Sequence, residues 1–291
     1  MKDALGDRMK DFYEDRTRYK LARRTNTIIR IDGKAFHTYT KGLKRPFDAG
    51  LMEDMDATTV YLCENIQGAK FGYVQSDEIS ILVTDYDDQT THAWFDGNLQ
   101  KMASIAASLA TAKFNALRMI RACWDSKDAT GDLDCDDLKK FKLATFDARV
   151  FQIPASIEVE NYFIWRQQDA SRNSVSSVAQ SQFSTKELHG VKTNAMQDML
   201  MLQKEINWND FSPREKRGSV IRKVEKTYIN NEKGDTFQVD PKQISPWKNE
   251  TFTRNKWEAD AGTPIFSQER GYLRWLMPSP QDDRSPMFFN I

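Results

Sequence analysis

Three observations predict an α+β fold with an antiparallel sheet and helices on one face for this 291-residue chain. Short β-branched runs recur in the first half, helical periodicities separate them, and their order is strand, helix, strand, strand, helix, strand. Composition agrees: 40% hydrophobic and 29% charged residues, with 13 Gly and 9 Pro, exclude the disordered, fibrous and low-complexity classes. The first strand runs from Thr27 to Asp32 and stops at Gly33, with Ile29 and Ile31 on one face and Arg30 and Asp32 on the other. Asp48 caps a helix in which Leu51, Met55, Thr59, Leu62 and Ile66 recur until Gly68. Ala69 to Val74 and Ile79 to Val83 read as a hairpin with a four-residue turn, Gln75-Ser76-Asp77-Glu78. From Lys101 to Cys123 a second helix sets Met102, Ile105, Ala106, Leu109, Ala112, Ala116, Leu117 and Ile120 on one face, opposite a polar stripe of Lys101, Ser104, Ser108, Thr111, Asn115 and Arg118 that reads as solvated. Asp125 to Lys142 reads as a solvated acidic loop, and Thr145 to Gln152 as the fourth strand.

This order is the split βαββαβ of ferredoxin-like domains, on which nucleic-acid polymerases also build their palms. A boundary near residue 155 separates a palm-like catalytic domain, residues 1–155, from a mixed helical region, residues 156–291. Ser156 is expected to cap the first helix of that region, where Trp208, Trp247, Trp257 and Trp275 stand among basic residues. The 42 basic residues balance 42 acidic ones, so a nucleic-acid partner requires a local basic surface. Cys63, Cys123 and Cys135 form no C-x-x-C pair, which argues against a disulfide framework or thiolate zinc site and fits a reducing cytoplasm. No run approaches the roughly 18 apolar residues of a membrane span, so a cytoplasmic protein without a membrane partner is expected.

In a split βαββαβ sheet the first strand lies beside the hairpin, so Asp32, Asp77 and Glu78 should converge. Carboxylates brought together repel unless hard divalent cations neutralise them, and magnesium, which shares its ligands with substrate phosphates, needs only two or three. Gly33, Lys34, Ala35, Phe36 and His37 follow at once, a glycine turn suited to cradling a triphosphate. His37, His92 and His189 are not paired at metal-ligand spacing, which argues against zinc and against a His-dependent triad.

Three segments together, Arg30-Ile31-Asp32-Gly33-Lys34-Ala35-Phe36-His37, Gly72-Tyr73-Val74-Gln75-Ser76-Asp77-Glu78-Ile79-Ser80 and Lys101-Met102-Ala103-Ser104, resemble the tRNA-His guanylyltransferase superfamily of 3′-to-5′ nucleotide-adding enzymes. Trp165-Arg166-Gln167-Gln168-Asp169 and Lys216-Arg217-Gly218-Ser219-Val220 extend the resemblance to about residue 223. It implies a polymerase-like palm holding two magnesium ions on Asp32, the Gly33 carbonyl and Asp77, with Glu78 beside them as a further catalytic carboxylate. It also implies that residues 32–37 and Ser76 line GTP or another nucleoside triphosphate, and that Lys101 binds phosphate while ATP activates the tRNA 5′ end. The incoming nucleotide's 3′-hydroxyl then attacks that end, and a homotetramer is implied. Where eukaryotic members carry His-Ile-Asn-Asn-Leu-Tyr-Asn, this chain reads Ser171-Arg172-Asn173-Ser174-Val175-Ser176-Ser177, which looks like the bacterial and phage branch. Template-directed repair of tRNA 5′ ends is therefore the first expectation, single guanosine addition to tRNA-His the alternative, and a palm-type cyclase or RNA-binding module the second alternative. Lys216, Arg217, Arg222, Lys223 and Lys226 are expected to touch tRNA phosphates.

Overall fold

A computed structural model describes residues 3–125, 141–230, 236–239 and 251–278. The acidic stretch with Asp128 and Asp132, Cys135, and Trp247 lie outside these residues. The described helices are α1 (Ala4–Met9), α2 (Phe36–Tyr39), α3 (Ala49–Asn65), α4 (Leu99–Asp125), α5 (Ser156–Gln182), α6 (Thr185–Leu188), α7 (Thr193–Lys204), α8 (Pro213–Arg217) and α9 (Arg270–Leu276). The strands are β1 (Thr27–Gly33), β2 (Ala69–Gln75), β3 (Glu78–Val83), β4 (Phe146–Gln152), β5 (Ser219–Asn230), β6 (Thr236–Val239) and β7 (Thr251–Asp260). They form one seven-stranded antiparallel sheet in the order β4-β1-β3-β2-β5-β6, with β7 also paired to β5.

The predicted sequence of strands and helices through β4 is present. Asp48 caps α3 by accepting the Leu51 amide at 2.7 Å. The period of two along the central strands then decides the packing. Ile29, Ile31, Val74, Ile79 and Ile81 point into a core with Met55 and Leu62 of α3 and Met102, Ala106, Ala110 and Phe114 of α4. Ile28, Phe71, Tyr73 and Leu82 point the other way, into a second core with Val159, Tyr162 and Phe163 of α5 and Leu273 of α9.

Helices therefore cover both faces of the sheet, which corrects the expectation of one helical face. The reason is legible in β3: every one of its residues is buried, and its single hydroxyl, Ser80, hydrogen-bonds the Tyr162 hydroxyl at 2.8 Å instead of water. The sheet also continues past residue 155, since β5 pairs with β2 through Tyr73 and Val220. Ser156 is the first helical residue of α5 and caps nothing; Ala155 precedes it without a side-chain bond. None of the helices among the described residues is long and apolar enough to cross a membrane.

Candidate active site

Strand β1 brings Asp32 to the end of the sheet, where its Cα pairs with Glu78 on one side and Asp147 on the other. The hairpin closes on Gln75 opposite Glu78, so its loop is the two residues Ser76 and Asp77 rather than four. Ser76 takes the left-handed backbone, φ 47°, that so tight a reversal demands. Its hydroxyl donates to an Asp77 carboxylate oxygen at 2.9 Å and fixes that side chain. A Cβ on Gly33 would stand 2.9 Å from the other Asp77 oxygen and 2.3 Å from the Phe36 ring. Only a glycine at the end of β1 lets the Asp77 carboxylate come this close to the Asp32–Gly33 backbone.

The Asp77 carboxyl is held above the ordinary carboxylate range, first by burial and then by the charges of Asp32 and Glu78, against the Ser76 hydrogen bond. Among the described residues no cluster of three or more His, Cys, Asp or Glu is arranged to hold a metal ion. Two carboxylates, Asp32 and Asp77, and the neighbouring Gly33 carbonyl are the oxygen groups that the end of β1 and the hairpin tip offer. That set suits magnesium, which retains waters and takes further oxygens from phosphates.

Glu78 is committed elsewhere. Its carboxylate accepts two hydrogen bonds from the Arg166 guanidinium, at 2.6 and 2.7 Å, and forms an ion pair with Arg30 at 2.6 Å. At 4% exposure it lies under the sheet end instead of facing an incoming ligand. The like-charge repulsion foreseen among three carboxylates is thus answered for one of them by arginine.

Beside the hairpin tip is a cavity of about 320 Å³ whose lining includes His37, Asp48, Ser76, Asn173, Ser177 and Arg214. It is built from α2, the start of α3, the tip, α5 and α8. Of the expected triphosphate residues, His37 and Ser76 reach it, and Lys34 and Ala35 are exposed at the end of β1. The Lys34 amide already donates to Thr145 at 2.9 Å. Phe36 is buried, its ring 5.7 Å from Phe114 and 5.6 Å from Phe146, so its side chain belongs to the core.

Lys101 lies apart from the Asp32 end of the sheet. Its neighbour Met102 shares a small cavity with Thr27 and Val83, at the end of β1 opposite Asp32. Five residue steps along β1 separate the two ends by about 16 Å. The Lys101 ammonium instead lies over the Phe95 ring at 4.7 Å. Lys101, Ser104 and Ser108 of the α4 polar stripe are exposed as expected, but the stripe's second half is not solvated, and Ala112, Ala116 and Ile120, expected on the apolar face, are exposed. Asn115 donates to and accepts from the Ala144 backbone, Thr111 accepts the Phe146 amide at 3.2 Å, and Arg118 pairs with Asp54 at 3.0 Å. The stripe's lower half thus ties α4 to β4 and α3.

The five basic residues expected at tRNA do not make one patch. Alternation along β5 puts Arg222 and Lys226 on one face, paired with Asp260 and Glu258, and Lys223 on the other, over Trp257. Arg217 donates to the Thr263 carbonyl at 2.9 Å, and Lys216 lies over Trp208. Arg30 and Arg166 escaped the sequence analysis. A signal existed for each: Arg30 shares the face of Asp32, and Arg166 lies within Trp165-Arg166-Gln167-Gln168-Asp169. Asp48 and Arg214 of the cavity carried no comparable signal.

The tRNAHis guanylyltransferase family profile matches residues 6–154. A solved bacterial tRNA(His) guanylyltransferase-like protein in complex with ATP is 44% identical, covers 94% of this chain and 99% of its own, and superposes with a TM-score of 0.74. One in complex with GTP is 42% identical over the same shares, with a TM-score of 0.69. The tRNA(His) guanylyltransferase of Saccharomyces cerevisiae is 25% identical over 217 residues, 70% of this chain and 85% of the yeast protein. A chain that ends its first strand in Asp32-Gly33, turns its hairpin on Ser76-Asp77 and matches this profile over residues 6–154 belongs to the tRNA-His guanylyltransferase family of nucleotidyltransferases.

Proposed function

We propose that the protein adds guanosine to the 5′ end of tRNA in the 3′-to-5′ direction, using GTP and ATP and a palm-like sheet end bearing magnesium. The observation that carries this reading is the Asp77 carboxylate standing against Gly33, next to Asp32 at the end of the sheet, with a cavity of about 320 Å³ beside the hairpin tip. Similarity to proteins solved with ATP and with GTP supports the choice of nucleotides. Asp32, the Gly33 carbonyl and Asp77 would hold the magnesium ions, which when bound polarise a phosphoryl oxygen and offset charge on the attacking and leaving oxygens. The chain's own part is positional. Ser76 keeps the Asp77 carboxylate turned to the sheet end, Gly33 lets it approach, and the cavity walls hold the nucleotide.

Single guanosine addition is placed before template-directed repair because curated yeast relatives at 22% and 25% identity are tRNA(His) guanylyltransferases. Repair remains the second reading, favoured by one feature. Asn173, Ser174 and Ser177, from the stretch that departs from the eukaryotic pattern, form part of the cavity wall. Labelled GTP supplied with full-length tRNA-His and with a 5′-truncated tRNA separates the readings. The first expects guanosine on the full-length tRNA at the higher rate; the second expects the truncated tRNA to be restored faster, with the product following the opposing base. No incorporation into either tRNA would overturn both.

A further inference from the structure

We propose that Arg166 is a positioning residue for the nucleotidyl-transfer site: through its two bonds to Glu78 it sets the hairpin tip so that Asp77 meets Asp32. This rests on the function proposed above. Glu78 follows Asp77 directly in the chain, and its Cα pairs with both Asp32 and Gln75. Directly opposite residues of an antiparallel pair point to the same face, so an unpaired Glu78 carboxylate would repel Asp32 across the strands. The Arg166 guanidinium draws it toward α5 instead, at 2.6 and 2.7 Å, with both side chains 4 to 5% exposed.

Arg166 is itself braced. It bonds Asp169 at 3.1 Å, and its guanidinium carbon lies 4.4 Å from the centre of the Trp165 ring. A planar, forked cation fixes both oxygens of a carboxylate, which a lysine ammonium does not. Fixing Glu78 fixes the first residue of β3, and a two-residue loop leaves Asp77 little freedom beyond that anchor. The arrangement makes Glu78 the far half of a clamp, where the sequence pointed to a catalytic carboxylate beside the metal.

Arg166→Gln, Arg166→Lys, Glu78→Gln, their Gln/Gln double variant and Asp77→Asn distinguish the two roles. Each is made in the full chain and its cooperative melting checked in chelator. Two readouts follow: Mn2+ binding in the presence of GTP by electron paramagnetic resonance, and single-turnover addition to 5′-triphosphorylated tRNA. Arg166→Gln and Glu78→Gln should each slow addition by about a hundredfold, the scale of a misplacement near 1 Å, with tRNA affinity unchanged. The double variant should fall within about threefold of the slower single one, because the pair acts as a unit. Arg166→Lys should recover part of the rate, and Glu78→Gln should keep the Mn2+ that Asp77→Asn loses.

Wild-type rates in folded Arg166→Lys and Glu78→Gln would overturn the proposal even if Arg166→Gln failed to fold. Loss of Mn2+ in Glu78→Gln equal to that in Asp77→Asn would make Glu78 a ligand and also overturn it. Asp77→Asn with unchanged Mn2+ binding and rate would instead overturn the metal-dependent reading beneath it.

Discussion

Asp77→Ala or Asp32→Ala is expected to slow single-turnover nucleotide addition by at least about a hundredfold, the scale of losing one preorganised electrostatic contributor. A tRNA that already carries a 5′-triphosphate bypasses activation, so the measured step is the transfer itself. Circular dichroism and tRNA affinity should hold, because both residues sit at the end of the sheet and neither belongs to its two cores. The stability effect has a definite sign. Asp77 has a folded pKa above its unfolded value, so its ionisation opposes folding, and the stability it contributes at low pH is lost as pH rises through the folded pKa. Without divalent cations, Asp77→Asn should therefore match or exceed wild-type stability at neutral pH, the difference vanishing in acid. Urea unfolding across that range checks this, and near wild-type transfer rates in folded Asp77→Ala would contradict the catalytic assignment.

Gly33→Ala should damage both stability and rate. The added Cβ meets the Phe36 ring at 2.3 Å and an Asp77 oxygen at 2.9 Å. Phe36 has nowhere to withdraw, since Tyr39 stands 4.9 Å away and Phe114 and Phe146 close the other sides. Overpacking of this kind costs about 1 to 3 kcal/mol. The softer partner, Asp77, is therefore the one displaced, and a shift near 1 Å lowers the rate by about a hundredfold. Urea unfolding and single-turnover addition at saturating nucleotide report the two effects separately. A Gly33→Ala protein with wild-type stability and rate would show that the Asp77 carboxylate does not approach the end of β1.

The first half of the fold was legible because its signals are local. Alternating Ile29 and Ile31, the Asp48 cap and the helical repeat from Leu51 to Ile66 each depend on neighbours a few residues away. The positions of Asp32 and Asp77 were legible for the same reason: one ends a strand and the other tips a hairpin. What failed to show depends on partners far along the chain. Glu78 finds Arg166 88 residues later, and no spacing rule announces such a pair. The second face of the sheet is covered by α5 and α9, which follow β2 by some eighty residues and more, so the alternating Phe71 and Tyr73 do not say what they pack against. The distance of Lys101 from Asp32 was not legible either, because periodicity reveals a helix and its faces but not which end of the sheet it starts from. The basic residues of β5 looked like one patch in the sequence, yet a period of two divides them between faces.

The central claim is that Asp32 and Asp77 form the cation-bearing end of the sheet while Glu78 stays with arginine. Crystals grown with GTP and Mn2+, examined by anomalous scattering, test it most directly. The account predicts manganese between the Asp32 and Asp77 carboxylates, sharing the triphosphate, with Glu78 still bonded to Arg166. Manganese bound by Glu78, or triphosphate bound away from Asp32 and Asp77, would contradict it.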